Sequence, residues 1–308
     1  AFIPDASQEL VLNLTEGFHL VLAPPGCGKT QILAERLKKS CEAGVPFSEM
    51  LCLTFTNRAA RSMQERALPM LSQTDEAPFM GNVHRFCSHF LFEKGLISAA
   101  TSVVSDDDLL SILCGFTGED ENAVAANPRR KSMYMEVMFL EHLLFQIETK
   151  QPKALRLHPD CLNREDIMAL RALCKAAQQE FTPATLLDIY AHTDVYSEYT
   201  FDAGTQVLVG RLLQKMRLAW QYRRYKKENL LIDFEDILLL AYENRDLLPR
   251  YSWIQVDEVQ DLNPLQLAII DALTADDGAG KPCVLYLGDP QQSIFSFMGA
   301  KLSTLEFL

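Results

Sequence analysis

A glycine-rich segment near the amino terminus constrains the fold more than any other part of the sequence. Residues 23–30 read Ala-Pro-Pro-Gly-Cys-Gly-Lys-Thr, follow a short apolar run, and precede a stretch with helical spacing of apolar residues. Gly26 and Gly28 allow backbone N–H groups to turn inward around phosphate oxygens, and the start of the following helix adds partial positive charge. In such a loop Lys29 reaches the β- and γ-phosphates, and the hydroxyl of Thr30 ligates Mg²⁺. The segment therefore predicts a nucleotide-binding loop between a strand and a helix.

Two acidic residues at the end of a later apolar run form the second candidate element of a site. Asp257 and Glu258 directly follow the run 253–256, which we interpret as a strand. In an open parallel sheet, residues that follow the carboxyl ends of strands lie at the ligand-binding edge. We expect Asp257 to hold Mg²⁺ and Glu258 to orient and activate an attacking water. Alone, the pair could equally be a solvated acidic turn, but the phosphate loop in the same chain favours catalysis.

The order of apolar runs predicts an α/β protein with a parallel sheet and a helical insertion. Strand patterns at 18–23, a buried strand, and at 50–55 alternate with helix patterns, which indicates right-handed crossovers between parallel strands. Strand patterns are then absent until 253–256 and 284–287. We predict the first part of a sheet domain at 1–95, an α-helical insertion at 96–228, and the second part of the sheet domain at 229–308.

Composition and charge limit the classes of protein to which this chain can belong. Of 308 residues, 48% are hydrophobic and 23% are charged, which is ordinary for a soluble globular chain of about two domains. No apolar run reaches the roughly 18 residues of a membrane span. The eight cysteines include no Cys-x-x-Cys pair, which favours a reduced, cytoplasmic protein. The net charge of −12 argues against a broadly basic nucleic-acid surface, although a motor enzyme needs only a local groove. The basic cluster 129–131 is predicted to be a solvated loop, although it could touch duplex DNA.

Seven ordered segments resemble motifs of the UvrD/Rep-type superfamily 1A DNA helicases, in their amino-terminal half (domains 1A and 1B). Residues 7–8 resemble the adenine-reading Q motif, and 23–30 resembles the family's phosphate loop, which commonly begins with Ala. The other five segments are similar, in chain order, to motif Ia (53–60), motif Ib (81–87), the "DFxDLL" element (231–238), motif II (256–263) and motif III (287–300). The resemblance implies a RecA-like P-loop NTPase domain 1A that carries subdomain 1B as its helical insertion.

The resemblance also implies a role for each matched residue. ATP hydrolysis would be carried out by Lys29, Asp257, Glu258 and Gln292, with Mg²⁺ held by Thr30 and Asp257. The nucleotide would be contacted by Gln8, Pro25, Gly26, Cys27, Gly28, Lys29, Thr30, Gln31 and Gln260. Single-stranded DNA would be contacted by Phe55, Asn57, His84 and Phe297. Considered without the resemblance, Gln8 is a surface glutamine and the spacing of Phe297 favours a core position.

The expected activity is ATP-driven movement on single-stranded DNA and at junctions with duplex DNA, with 3′→5′ polarity by family. In the family, a second RecA-like domain, 2A, follows motif III and supplies arginine fingers. We therefore expect this chain to be a fragment that binds ATP weakly and hydrolyses it poorly without that domain. Its oligomeric state is not indicated. Met298 departs from the Arg usual in motif III, and Val83 and Gln31 also depart from common family residues.

Two alternatives remain open at the level of sequence. A nucleotide-dependent DNA-binding or regulatory protein that has lost unwinding is supported by Met298 and by the acidic charge. The motor subunit of a recombination helicase–nuclease would share the same motifs. A small-molecule kinase also uses a phosphate loop, but it would not explain motifs Ia, Ib and III.

Overall fold

The computed structural model of the protein describes residues 2–24, 28–70, 77–149, 157–158, 160–275 and 281–289. Within them the chain divides into two compact units: unit 1 is formed by residues up to Leu96 and from Leu240 onward, and unit 2 by Ile97–Leu239. The strands are β1 (Gly17–Leu22), β2 (Met50–Thr54), β3 (Phe79–Asn82), β4 (Ser102–Val104), β5 (Leu231–Asp233), β6 (Trp253–Val256) and β7 (Cys283–Gly288). The helices are α1 (Ala6–Leu12), α2 (Lys29–Glu42), α3 (Asn57–Ala67), α4 (Val83–Glu93), α5 (Asp106–Thr117), α6 (Glu121–Ala125), α7 (Pro128–Glu148), α8 (Arg164–Ala176), α9 (Pro183–Ala191), α10 (Thr193–Tyr196), α11 (Ala203–Glu228), α12 (Phe234–Glu243) and α13 (Pro264–Leu273).

Unit 1 is built on a five-stranded sheet in the order β1-β7-β6-β2-β3. Every neighbouring pair is parallel, with Val21 opposite Leu287 and Thr54 opposite Asn82. Its core includes Leu33 and Leu37 of α2, which are fully buried. The predicted α/β class with a parallel sheet is confirmed, and the parallel arrangement places the carboxyl ends of all five strands at one edge.

Strand β1 differs from the fully buried strand that its apolar run predicts. Phe18, Leu20 and Leu22 are 63%, 41% and 46% exposed, while the residues between them are partly buried. The reason is position, because β1 lies at the edge of the sheet rather than in its interior. An apolar run predicts burial on both faces only for an interior strand.

Short polar side chains start the helices that follow β2 and β3. The hydroxyl of Thr56 accepts a hydrogen bond from the N–H of Ala59 at 3.1 Å, which caps α3. The side chain of Asn82 accepts one from the N–H of Arg85 at 2.7 Å, which caps α4. Such caps satisfy N–H groups that a helix start leaves unpaired. Each strand of this pair therefore ends in a turn that passes at once into a helix.

Unit 2 is a bundle of helices around α7 and α11. Its core is apolar, with Leu140, Leu143, Leu212 and Met216 fully buried. It also contains two buried lysines on α11. Lys215 contacts Glu136 and Asp166, and Lys226 contacts Glu141, Asp233 and Asp236.

The structure differs from the sequence analysis at two places in this unit. The insertion was predicted to lack strands, but β4 pairs with β5 in parallel, with Val103 opposite Ile232. Residues 229–239 contact unit 2, because β5 pairs with β4 and Asp233 binds Lys226. The sequence analysis therefore ended the insertion at residue 228, whereas the contacts extend unit 2 to Leu239. The assignment of these parts to 1A and 1B stays a prediction.

The basic cluster 129–131 is helical, and its prediction as a loop was wrong. It forms the first turn of α7, which Asn127 caps and which begins with Pro128. Arg130 pairs with Glu119 at 2.7 Å.

Among the helices described, none is long and apolar enough to cross a membrane. The seven cysteines in the described ranges are free thiols.

Candidate functional site

The candidate site lies at the edge formed by the carboxyl ends of the five parallel strands. Ala23 follows β1, Phe55 follows β2, Val83 follows β3, Asp257 follows β6 and Asp289 follows β7. Loops at this edge of a parallel sheet are where α/β proteins bind ligands. Five segments that are far apart in sequence are therefore brought to one side of unit 1.

The phosphate loop begins after β1 and ends at α2. The N–H of Ala23 donates to the carbonyl of Gly288 at 2.9 Å, which joins the start of the loop to β7. Gly28 has φ +77°, and a Cβ at this position would meet nothing within 4 Å. Helix α2 then starts at Lys29 and has no acidic residue in its first turn. This open, positively charged helix start suits a phosphate group. Pro25, Gly26 and Cys27 lie outside the described residues.

Asp257 is held at the end of β6. Its N–H donates to the carbonyl of Leu53 at 2.9 Å, and its carboxylate accepts from the N–H of Glu258 at 2.8 Å. Burial raises the pKa of Asp257, whereas the hydrogen bond from Glu258 and the nearby charge of Lys29 lower it. Lys29 and Asp257 thus interact electrostatically across the gap between the phosphate loop and β6.

Glu258 has two unusual features. Its backbone has φ +54° and ψ +42°, the left-handed conformation that non-glycine residues rarely adopt. Its Oε2 is buried and has no hydrogen-bond partner among the described residues. Burial raises its pKa, as do Asp257 and Asp261, while Lys29 lowers it. Strained backbone and an unsatisfied buried carboxylate oxygen are features that concentrate at functional sites.

The end of β7 lies close to the segment that follows Glu258. A Cβ on Gly288 would lie 2.8 Å from Cγ1 of Val259, so only glycine allows this approach. The N–H of Asp289 donates to Oε1 of Gln260 at 3.2 Å. Gln260, predicted to contact the nucleotide, is therefore fixed beside β7. The positional roles of Gly288 and Asp289 were missed in the sequence analysis, although a Gly-Asp pair after an apolar run was the available signal.

The donors at this edge fit a magnesium ion. Thr30 offers a hydroxyl oxygen and Asp257 a carboxylate oxygen, which are the hard ligands that Mg²⁺ prefers. The unpartnered Oε2 of Glu258 lies on the residue next to Asp257. The chemistry of the donor set therefore agrees with the predicted cofactor pair, ATP and Mg²⁺.

Two predicted nucleotide contacts are bound to protein groups in this structure. The side-chain oxygen of Gln8 accepts from the N–H of Asp5 at 3.0 Å, as part of the cap of α1. The amide of Gln31 donates to Glu35 at 3.0 Å and accepts from Arg66 at 3.1 Å. Their predicted roles in nucleotide binding stay predictions.

The predicted DNA contacts fall on the β2–β3 half of the edge. Phe55 is 38% exposed, and the side chain of Asn57 accepts a hydrogen bond from Asn82 at 2.7 Å. His84 is the second residue of α4, directly after β3. These three residues follow neighbouring strand ends, next to the half of the edge that carries the residues predicted to bind the nucleotide. Gln292, Phe297 and Met298 lie outside the described residues.

Comparison with known proteins identifies similar sequences over nearly the whole chain. The family model of the UvrD/REP helicase N-terminal domain matches residues 5–307. A probable DNA helicase II homolog from Mycoplasma capricolum subsp. capricolum is 23% identical, over 98% of this chain and 36% of its own length. ATP-dependent DNA helicase PcrA from Staphylococcus aureus is 25% identical, over 98% and 35%. The putative ATP-dependent DNA helicase YjcD from Bacillus subtilis is 27% identical, over 97% and 33%. The chain therefore spans about a third of the length of these curated relatives.

Proposed function

This chain belongs to the family of UvrD/REP helicase N-terminal domains, and from that premise we propose that it is the ATP-binding portion of an ATP-dependent DNA helicase. The proposal is supported by the names of the relatives and by the residues at the sheet edge. The observation that carries it is the pair Asp257 and Glu258. The carboxylate of Asp257 accepts a hydrogen bond from one backbone N–H, and Glu258 beside it has a buried oxygen without a partner among the described residues.

In this proposal each residue at the edge has one task. Lys29 binds the β- and γ-phosphates from the start of α2, and Thr30 and Asp257 hold Mg²⁺. The metal, when bound, supplies positive charge that offsets the charge developing on the phosphate oxygens. The carboxylate of Glu258 accepts a proton from the attacking water. Its raised pKa makes this carboxylate a stronger proton acceptor than an exposed one.

We also propose that single-stranded DNA crosses the β2–β3 half of the edge. Phe55 would stack on a base, and Asn57 and His84 would contact the strand beside it. Nucleotide and DNA residues then occupy adjacent strand ends, so a shift caused by hydrolysis can be passed from β6 to β2.

The remaining parts of the proposal follow the family: 3′→5′ movement, action at single-strand–duplex junctions, and a second RecA-like domain, 2A, that supplies arginine fingers. The free thiols agree with a cytoplasmic location.

ATP turnover by the full-length protein, with and without single-stranded DNA, tests the proposal. We expect DNA to stimulate turnover and Lys29→Ala to abolish it. Lys38→Ala is the matched control, because the Lys38 side chain on the same helix is 41% exposed and pairs with Glu42. Glu258→Gln should retain ATP binding and lose hydrolysis. ATP binding without stimulation by DNA would instead favour the regulatory protein that has lost unwinding.

A further inference from the structure

Arg36 is a charged residue buried in unit 1. Its side chain lies on α2 and is 0% exposed. Within the described ranges, no carboxylate forms an ion pair with it. Arginine remains protonated in proteins, and a buried charge without a counter-charge is costly, so such residues are rare in cores. An apolar residue of similar length would fill the same space at lower cost.

The contacts of Arg36 join α2 to two strands. One guanidinium N–H group donates to Oε1 of Gln255 on β6 at 3.2 Å, and the other terminal nitrogen donates to Sγ of Cys283 on β7 at 3.0 Å. The guanidinium also lies 4.6 Å from the ring centre of Trp253 on β6. Because these contacts are directional, they fix both the position of α2 along the sheet and the rotation of α2 about its own axis.

Gln255 completes the link in the opposite direction. Its side-chain N–H donates to the carbonyl of Leu33 on α2 at 3.2 Å and to Sγ of Cys52 on β2 at 3.4 Å. It is fully buried as well. Helix α2 and strand β6 are therefore joined by two hydrogen bonds of opposite direction through one buried amide. Side-chain hydrogen bonds of this kind fix a relative position that apolar packing alone leaves adjustable.

The two linked elements carry the two halves of the nucleotide site. Helix α2 begins with Lys29 and Thr30, and Lys29 lies about two helical turns before Arg36 on the same face of the helix. Strand β6 ends at Val256, directly before Asp257, so Gln255 and Asp257 are separated by one residue. A shift of α2 along the sheet would move Lys29 and Thr30 together relative to Asp257.

We propose that Arg36 is a positioning residue for ATP hydrolysis, which holds α2 against β6 so that Lys29 and Thr30 face Asp257. This proposal rests on the proposed function of the site. A misplacement of about 1 Å in an active site can lower the rate about 100-fold. The effect should appear mainly in kcat, because phosphate binding at the start of α2 survives a small shift, whereas alignment across the two elements does not.

The test compares variants of the full-length protein. Arg36→Met removes the charge and the donors but keeps a long side chain, and Arg36→Lys keeps the charge with a single donor group. Lys38→Met is the matched control on the exposed face of the same helix. For each variant we would measure kcat, KM for ATP, the Mg²⁺ concentration for half-maximal rate, the affinity for a fluorescent ATP analogue, and the midpoint of thermal unfolding.

We expect Arg36→Met to lower kcat by more than about tenfold and to raise the Mg²⁺ requirement, while KM and the analogue's affinity change less than about threefold. Arg36→Lys should recover part of kcat. Gln255→Leu should lower kcat in the same way, and adding it to Arg36→Met should have little further effect, because both changes break one link. If Arg36→Met does not fold, Arg36→Lys and Gln255→Leu carry the test.

Normal kinetics and Mg²⁺ dependence in folded Arg36 and Gln255 variants would overturn the proposal. A purely structural role would also overturn it, and would appear as a lower unfolding midpoint with unchanged kcat in the remaining folded protein. Failure of the proposed function is distinguishable from both, since the unchanged protein would then show no ATP turnover that Lys29→Ala removes.

Discussion

Lys226 allows a quantitative test of the helical unit, because its ammonium group is buried among three carboxylates. Its Nζ lies 2.9 Å from Glu141, 3.0 Å from Asp233 and 2.7 Å from Asp236, and its side chain is 6% exposed. Lys226→Met keeps a long side chain but leaves the three carboxyl groups without their cation. Removing one partner of a buried ion pair typically costs about 3–5 kcal/mol, because the remaining charge stays desolvated. We expect unit 2 to lose stability of that size near neutral pH.

The loss should depend on pH in a defined direction. Burial raises the pKa values of Glu141 and Asp236, whereas Lys226 lowers the pKa of Asp233 against the effect of burial. Removing Lys226 removes an interaction that lowers the pKa of all three carboxyl groups, so we expect the effect of burial, which raises each pKa, to dominate. Protonation then favours the folded state at low pH, and this stability is lost as the pH rises toward the folded pKa values. The loss of stability caused by Lys226→Met should therefore become smaller as the pH falls from neutral toward the unfolded pKa values of the carboxyl groups.

Hydrogen exchange read by mass spectrometry in increasing urea measures this loss, since peptides from α7 and α11 report unit 2 separately from unit 1. Arg224→Met is the matched control on α11, because Arg224 forms an exposed pair with Glu228 and should cost at most about 0.5 kcal/mol. Adding Asp236→Asn to Lys226→Met should restore part of the stability. A penalty below about 1 kcal/mol near neutral pH, or one that does not change with pH, would refute the reasoning.

Three further predictions concern separate parts of the molecule. Burial raises the pKa of Glu235 from 4.5 to about 8, so Glu235→Gln should leave thermal stability unchanged near pH 4 and raise it near pH 8; equal shifts at both pH values would contradict this. Gly288→Ala should lower ATP turnover by about tenfold or more, because the added Cβ would lie 2.8 Å from Val259 and displace Gln260, whereas Gly115→Ala, which meets nothing within 4 Å, should have no effect. Phe55→Ala should weaken binding of single-stranded DNA by about 1–3 kcal/mol in a fluorescence anisotropy titration, and Phe92→Ala, also 38% exposed, should not; equal losses would remove Phe55 from the proposed DNA path.

The sheet and its edge could be predicted because their signals are local in sequence. A parallel strand is a short apolar run, and at β6 and β7 that run ends abruptly in Asp257 or in Gly288 and Asp289. The start of helix α2 also has a local sequence signal, because Lys29 follows the glycine that ends the phosphate loop. Where strand and helix signals alternate in this way, the crossover rule leaves a parallel sheet as the solution.

Other features could not be predicted, because they depend on partners far away in the chain. Strand β4 has three residues, too few to show a period, and it exists through its pairing with β5. The burial of Arg36 depends on Gln255 and Cys283, which no local pattern connects to it. The start of α7 could have been predicted, because Asn127 followed by Pro128 is a typical helix start. The basic residues after it were instead interpreted as a solvated loop.

The sequence motif identifies Glu258 as a candidate residue but does not predict its backbone conformation. The sequence places a carboxylate after Asp257 but does not reveal that its backbone lies in the left-handed region. Such a conformation costs about 1–3 kcal/mol in a non-glycine residue, and glycine would adopt it without strain. Yet glycine at this position would remove a carboxylate oxygen that lies buried and, among the described residues, unpartnered beside Asp257. The side chain at this position therefore carries a backbone cost that glycine would avoid, and the catalytic role that we propose for Glu258 would account for that cost.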